Sequence, residues 1–426
     1  MKFLFVTPVK QGSGETITSL HIAESLVRRE HEILFLASAF ARGFIDRHFP
    51  GRVRDLGDDG DANLRTWLDA VASFRPDAVV FADYPLCFVP GGCAPLVSED
   101  PEWVDRLEEL DACLVTLDHF GFAQGEMGLY LGPPHLGLHY QWFPAIPRRM
   151  RVLLPCPMHE PGPVEGRVGE PFRYWEVPLK APEERVRETR RRYLDDRDAL
   201  LVFHSVPNWA WRGAEIFGLS LYRHLPEILD QYLGESPRPV TVVSVNNGSL
   251  LAPREHHRVR LINLAPIPRA EFEDLLHAAD LVLTENKVSI SMGKAICAFK
   301  TSAALKNSYR LAELMPLLTG RLRDTVMAME AERLGTVYPF EVYPTGMTEL
   351  LDKICLYRDN GLTRGFRDLE MFGGEETAAA LCDLLTDDHT REEQRAHQER
   401  YVERLRRLEE SAPVLERLVE EEGRRR

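Results

Sequence analysis

The sequence predicts an α/β protein of two doubly wound domains with a C-terminal helical tail. Three observations carry this prediction. Short apolar runs alternate with helical patterns on both sides of a proline-punctuated segment, Pro178-Leu179-Lys180-Ala181-Pro182. The chain has 426 residues, more than one ordinary domain holds. From Asp388 onward almost every residue is charged or helix-favouring, with a thin apolar stripe of Tyr401, Leu405, Leu408, Val414, Leu415 and Leu418.

In the first half, Lys2 to Val9 reads as a strand. The turn Gln11-Gly12-Ser13-Gly14-Glu15-Thr16 follows, then a helix with apolar Ile17, Leu20, Ile22, Ala23 and Leu26. Ile33 to Ala37 is a second strand, Trp67 to Phe74 a helix, and Ala78 to Phe81 a strand that runs into Asp83. Pro101 to Leu110 is an amphipathic helix, and Ala112 to Leu117 a strand that runs into Asp118-His119. An Asp at a strand end is often only a turn former. Val152 to Leu154 is a further short strand, and the Pro/Gly-rich stretch 155–171 reads as a surface excursion.

Glu183 to Tyr193 is a charged linker helix. The second half opens with the strand Ala199 to Phe203, which leads to His204-Ser205 and the aromatic loop Asn208-Trp209-Ala210-Trp211. An aromatic loop of this kind can stack a base or a ring. Helix is expected from about Ala214 to Leu233, and strands at Val240 to Val245, which ends in Asn246, and at Val259 to Leu264. The stretch from Ala278 to Leu305 organises this half as strand, loop and helix. Leu281 to Leu283 is the strand and Thr284-Glu285-Asn286-Lys287 the polar break. Ser289 or Ser291 caps the helix, and Gly293 leaves room near its first turn. A helix start after a strand can hold an anion, and Lys287 and Lys294 add local positive charge. Ile354 to Asp368 fits no element clearly, and Gly373-Gly374 to Leu385 reads as a helix.

Composition bounds the function. Hydrophobic residues make up 44% and charged residues 28%, which suits packed cores. The net charge of −14 argues against nucleic-acid or anionic-membrane partners, which need a basic footprint. The seven cysteines are scattered without a C-x-x-C pair and read as reduced thiols of a cytoplasmic protein. MKFLFVTPV is too short for a signal peptide's apolar region, and no run approaches the roughly 20 apolar residues of a membrane span. The Gly12-Ser13-Gly14 turn is not G-x-G-x-x-G, and no acidic residue closes the second strand, which disfavours an ordinary dinucleotide site. No metal-ligand cluster is visible among the 14 His.

The arrangement resembles the two-domain GT-B fold of bacterial nucleotide-sugar-dependent glycosyltransferases. Gly12-Ser13-Gly14 stands where that group has its glycine-rich acceptor-side loop. Phe81-Ala82-Asp83-Tyr84-Pro85 and Leu117-Asp118-His119-Phe120 resemble its paired first-domain strand ends. Phe203-His204-Ser205 lies where the donor-side loop begins, and Ala278 to Thr284 is similar to the strand before the donor phosphate loop. Three departures stand out. Glu285-Asn286-Lys287 replaces the usual His or Gly-rich loop, Met292 stands where an E-x7-E pattern needs its second acid, and Glu15 stands where many relatives carry a catalytic His.

The resemblance implies two Rossmann-like domains facing across a cleft. Residues 1–178 would form the acceptor-side domain, 179–197 a linker, 198–385 the donor-side domain, and 386–426 a helix that packs back on the first domain. It implies transfer of a sugar from a nucleotide-activated donor to a small-molecule acceptor, as in natural-product biosynthesis. The nucleotide sugar is then a substrate, with no separate cofactor and no metal; the chain would be cytoplasmic and a homodimer is allowed. Glu15, Asp118 or His119 would handle the acceptor's proton. Gly12, Ser13, Gly14, His204, Ser205, Trp209, Asn246, Thr284, Glu285, Asn286, Ser289, Ser291, Gly293 and Lys294 would line the substrate and donor site. The alternatives are a GT-B enzyme repurposed for sugar-nucleotide epimerisation, hydrolysis or another tailoring step, and a non-catalytic ligand-binding partner.

Overall fold

The structure, a computed structural model, describes residues 1–10, 13–88, 94–95, 103–124, 128–131, 139–142, 146–206, 220–245, 254–256, 258–287, 289–337, 339 and 360–425. The first sheet contains β1 (Lys2–Thr7), β2 (Glu32–Ser38), β3 (Val53–Leu56), β4 (Ala78–Phe81) and β5 (Cys113–Leu117). A separate antiparallel hairpin, β6 (Gly128–Leu131) and β7 (His139–Trp142), precedes its last two strands, β8 (Arg151–Cys156) and β9 (Glu170–Arg173). Their order is β3-β2-β1-β4-β5-β8-β9, and every pairing is parallel. β4 and β5 are buried along their whole length, and β1 from Phe3 onward. Such strands have helices or chain on both faces and must be apolar throughout, as AVVF and CLVTL are.

The second sheet contains β10 (Leu200–Ser205), β11 (Val240–Val245), β12 (Arg254–His256), β13 (Val259–Leu264), β14 (Leu281–Thr284), β15 (Ser302–Lys306) and β16 (Arg367–Glu370). Its order is β12-β13-β11-β10-β14-β15-β16. Only the short edge strand β12 runs antiparallel to its neighbour among these strands. The molecule is thus two parallel α/β domains, as the alternation in the sequence indicates.

Seven strands escape the sequence reading, among them β6 and β7 of the hairpin and the short edge strand β12. β3 and β9 lie at sheet edges, where partial exposure breaks the apolar run; β9 falls at the end of what reads as a surface excursion. β15 lies inside the Ala278–Leu305 stretch, because the helix there stops at Cys297. β16 is an edge strand with two acidic residues, RDLE.

The tail forms two helices, Asp388–Arg406 and Ser411–Arg425, where a single helix is expected. The break lets residues 409–410 run beside β9: Arg173 N–H donates to the Glu409 carbonyl at 3.0 Å, and Arg173 bridges Glu410. Pro413 is tolerated next to this break because the first helical turn needs no intrahelical donors. Tyr401, Val402, Leu405, Val414, Leu415 and Leu418 join one apolar cluster with Phe3, Phe5, Val115 and Leu117 of the first sheet. Met292, Ile296 and Cys297 of the second domain belong to the same cluster. The two domains and the tail therefore share a core. Around its edge Glu416 takes both arms of the Arg29 guanidinium at 2.7 Å, and His31 at 2.6 Å.

Leu415 is fully buried in this shared core. Leu415→Ala should lower the unfolding free energy by about 2–5 kcal/mol in urea denaturation. Glu416→Ala, at a partly exposed ion pair, should cost no more than about 1 kcal/mol in the same measurement.

Candidate active site

Strand order points to the place where a ligand would bind. In the first sheet the order reverses between β1 and β4, and in the second between β10 and β14. In open parallel sheets the crevice beyond the carboxyl ends of such a pair is open, because the following connections leave in opposite directions. Glu15 follows β1, Asp83 follows β4 and His119 follows the neighbouring β5. Ser205 ends β10 and Glu285 follows β14.

On the first-domain side, helix Gly14–Val27 begins at Ser13, whose side chain makes no capping hydrogen bond. Glu15, in its first turn, is buried, and its Oε2 has no hydrogen-bond partner. Burial holds its carboxyl above the ordinary range; nearby His119 opposes this, and Asp83 adds to it. The His119 backbone N–H donates to Asp83 Oδ2 at 3.2 Å. The Thr18 hydroxyl donates to the Gly14 carbonyl at 3.0 Å, and His119 Nε2 is hydrogen-bonded to Thr18 Oγ1 at 3.2 Å. Nδ1 makes no hydrogen bond and stands 3.7 Å from Asp83 Oδ2. Burial lowers the pKa of His119, against the pull of Glu15 and Asp118. The result is a neutral imidazole beside a carboxyl of raised basicity.

Asp118 does not join them. Its two oxygens accept the Phe122 and Ala123 N–H groups, both at 2.9 Å, so the side chain braces the turn after β5. Burial and the neighbouring Asp83 push its pKa up to about 7. The carboxylate that does reach this site is Asp83, which holds the His119 backbone.

On the second-domain side, His204 is fully buried at the end of β10. Its Nδ1 meets Ser244 Oγ at 2.8 Å, and its Nε2 meets Glu285 Oε1 at 2.6 Å. Glu285 is 6% exposed, and its Oε2 has no hydrogen-bond partner. Thr284 Oγ1 ties the turn by donating to the Ser205 carbonyl at 3.0 Å and accepting from Asn286 N–H at 3.1 Å. Asn286 and Thr284 thus shape this end of the strand. Ser205 Oγ lies 3.3 Å from Ser291 Oγ. As adjacent strand residues, His204 and Ser205 reach different partners and form no nucleophile–base pair. The helix Ile290–Cys297 is capped by Ser289, whose Oγ accepts Met292 N–H at 3.0 Å.

The two sides meet at their helix starts. A Cβ placed on Gly14 would lie 3.5 Å from Ile290 Cδ1, so the first turn of the first-domain helix faces the start of Ile290–Cys297. Gly293 and Lys294, in contrast, do not line an anion site. A Cβ on Gly293 would fall 2.7 Å from Pro157 Cγ, so this glycine admits the first domain. Lys294 is buried, its ammonium bonds Glu273, and it lies 5.6 Å above the centre of the Trp175 ring. Lys287 is likewise engaged, with Asp368 at 2.9 Å. Gly12, Trp209 and Asn246 lie outside the described residues.

Known structures share this architecture. The chain aligns over 98% of its length with 99% of the glycosyltransferase SnogD from Streptomyces nogalater, at TM-score 0.51 and 14% identity. It covers all of glycosyltransferase VinC in complex with dTDP, over 100% of each chain, at TM-score 0.53 and 12% identity. The spinosyn rhamnosyltransferase SpnG complexed with thymidine diphosphate aligns over 98% of this chain and 100% of its own, at TM-score 0.53 and 12% identity. The fold is that of the GT-B glycosyltransferases. By sequence, the chain belongs to a family of unknown function, DUF6365, whose profile matches residues 22–423. No curated protein matches it.

Two measurements check the geometry. Gly293→Ala should destabilise the protein by about 1–3 kcal/mol through overpacking against Pro157; an unchanged melting temperature would show that the domains do not touch there. The second concerns Glu15. Between pH 4.5 and its higher native pKa, the folded protein keeps a proton that the unfolded chain has released. The group's contribution to stability is thus greatest at low pH and falls as the pH rises through that window. Glu15→Gln removes this dependence, so the stability of Glu15→Gln relative to wild type should rise as the pH is raised above 4.5.

Proposed function

We propose that this protein is a glycosyltransferase-like enzyme that moves a sugar from a nucleotide-activated donor to a small-molecule acceptor. The carrying observation is the Glu15–His119 pair, with a bare Oε2 and a bare Nδ1, at the first-sheet switch point opposite the Ser205–Ser291 end of the second. The fold likeness supports the same reading, since SpnG and VinC are complexed with a thymidine diphosphate.

In this reading the acceptor hydroxyl lies against Glu15. The oxygen attacks the anomeric carbon as its proton passes to Glu15 Oε2, the new C–O bond forms, and the bond to the departing diphosphate breaks with its electron pair. Burial raises the basicity of Glu15, which makes it a better proton acceptor than an exposed carboxylate. His119 is held by Thr18 and Asp83, and burial lowers its pKa, so it does not compete with Glu15 for the proton. Ser205 and Ser291, with the amides at the start of the Ile290–Cys297 helix, face the leaving group. Residues 1–178 serve the acceptor and 198–385 the donor.

A second reading is a GT-B enzyme with another activity on a sugar nucleotide, such as hydrolysis. Lys287 and Lys294 are committed to carboxylates, so neither reading draws on these cations for the leaving diphosphate. The test is incubation with a panel of nucleoside-diphosphate sugars, with and without polyketide and phenolic acceptors, followed by mass spectrometry. A glycosylated acceptor supports transfer; free sugar with or without acceptor supports hydrolysis; no turnover of any donor overturns both. In a transferring enzyme Glu15→Gln should lower kcat by about 10²–10⁴-fold, with KM changed far less.

A further inference from the structure

Among the described residues, Glu30, Arg75 and Phe299 have the left-handed backbone that favours glycine, with φ of 64°, 50° and 55°. Glu30 and Arg75 are polar and exposed. Phe299 is half-buried, and a bulky side chain is strained in this conformation. It closes the helix Ile290–Cys297. The Lys300 N–H donates to the Ala295 carbonyl at 2.9 Å, and the Phe299 N–H to the Ile296 carbonyl at 3.1 Å. Glycine commonly ends helices bonded in this way, and it would do so here without strain.

The phenyl ring adds a contact with the C-terminal tail. It packs against the core that the two domains share, and the Arg395 guanidinium of tail helix Asp388–Arg406 lies 5.6 Å from the ring centre. The same tail helix grips the chain that follows. Buried Gln394 accepts the Ser302 N–H at 2.9 Å and donates to the Ser302 carbonyl at 2.8 Å. Buried Gln398 donates to the Lys300 and Gly365 carbonyls, both at 2.8 Å. The opposite end of Ile290–Cys297 carries Ser291, beside Ser205, and Ile290, facing Gly14. Only eight residues separate the tail's grip from the candidate site. A strained residue held where glycine would serve points to work done by its side chain.

We propose that Phe299 is a positioning residue. Its ring, clamped by the tail helix, sets where Ile290–Cys297 stands and so how Ile290 and Ser291 meet the first domain. The C-terminal tail thereby acts on the candidate site without touching it.

Hydrogen exchange on the full chain, followed by mass spectrometry, tests this. The amides read are those of Met292 and Gly293, which bond Ser289 at the helix start; β1 and β11 are the controls. Phe299→Gly keeps the left-handed backbone and loses the ring. Phe299→Tyr keeps the ring. Arg395→Ala, at an exposed position, loosens the clamp and leaves the core intact. Melting temperatures confirm that the variants are folded. In Phe299→Gly the two amides should exchange about tenfold faster than in wild type, and in Arg395→Ala severalfold faster, with β1 and β11 unchanged. Phe299→Tyr should exchange as wild type does. Wild-type exchange at Met292 and Gly293 in either Phe299→Gly or Arg395→Ala overturns the proposal, as does a Phe299→Tyr protein that behaves like Phe299→Gly. Faster exchange shared equally by β1 and β11 would mark Phe299 as a residue of general stability and overturn it. Faster exchange confined to residues 298–302 would mark it as a helix end only, with the same consequence. No substrate enters the measurement, so its outcome is independent of the transferase reading.

Discussion

The structure depends on one short helix, Ile290–Cys297, packed between two domains. Its apolar face, Met292, Ile296 and Cys297, is buried in a cluster that also holds residues of the first sheet and of the C-terminal tail. Gly293 lets Pro157 come to van der Waals range of its backbone, and the Leu179 N–H donates to the Cys297 carbonyl at 2.9 Å. The same helix carries Ser291 at its start. The contacts that bury its far end therefore set how closely its near end approaches Gly14 and Glu15.

Charge holds this approach to one geometry. Lys294 pairs with Glu273, Glu273 also takes Arg269 at 3.2 Å, and Arg269 forks onto Glu24 of the first domain at 3.0 and 3.2 Å. Burial works against the Lys294 ammonium and lowers its pKa, with Glu273 opposing that shift. His21, packed edge-on against Trp175, is pushed down to about 2 by burial and then by the Lys294 and Arg269 cations, so it stays neutral. Such a chain adds little net stability over an apolar contact, but removing Glu273 leaves the buried Lys294 ammonium without its partner. Its effect is to disfavour other relative placements of the domains.

Much of the fold was legible in the sequence, and less of the site. Strands buried on both faces, such as Ala78–Phe81 and Leu281–Thr284, read as short apolar runs because nothing polar can stand in them. Edge strands did not, since β3 and β16 need only half their residues buried. Glu15, His119, His204, Ser205, Glu285 and Ser291 could be picked out because the end of a parallel strand is where a ligand crevice opens. What each side chain does there could not. Asp118 and His119 are neighbours in sequence, yet one caps a turn and the other turns toward Thr18. Gly293 and Lys294 have the composition of an anion site, and only the position of Pro157, Glu273 and Trp175, all distant in sequence, shows that they serve the domain interface. The Pro157 approach leaves no local signal at all.

The two switch points carry the same chemical unit. Each holds a carboxylate with one bare oxygen near an imidazole fixed by a hydroxyl: Glu15 and His119 with Thr18 in the first domain, Glu285 and His204 with Ser244 in the second. The units differ in one respect. His204 is hydrogen-bonded directly to its carboxylate, whereas His119 keeps a bare nitrogen and leaves Glu15 unpaired on that side. A carboxylate locked to an imidazole through a 2.6 Å hydrogen bond is held in one orientation. A carboxyl with raised pKa and no such tether is free to exchange a proton. The asymmetry is why the proposed reading gives the proton transfer to Glu15 of the first domain and not to Glu285 of the second.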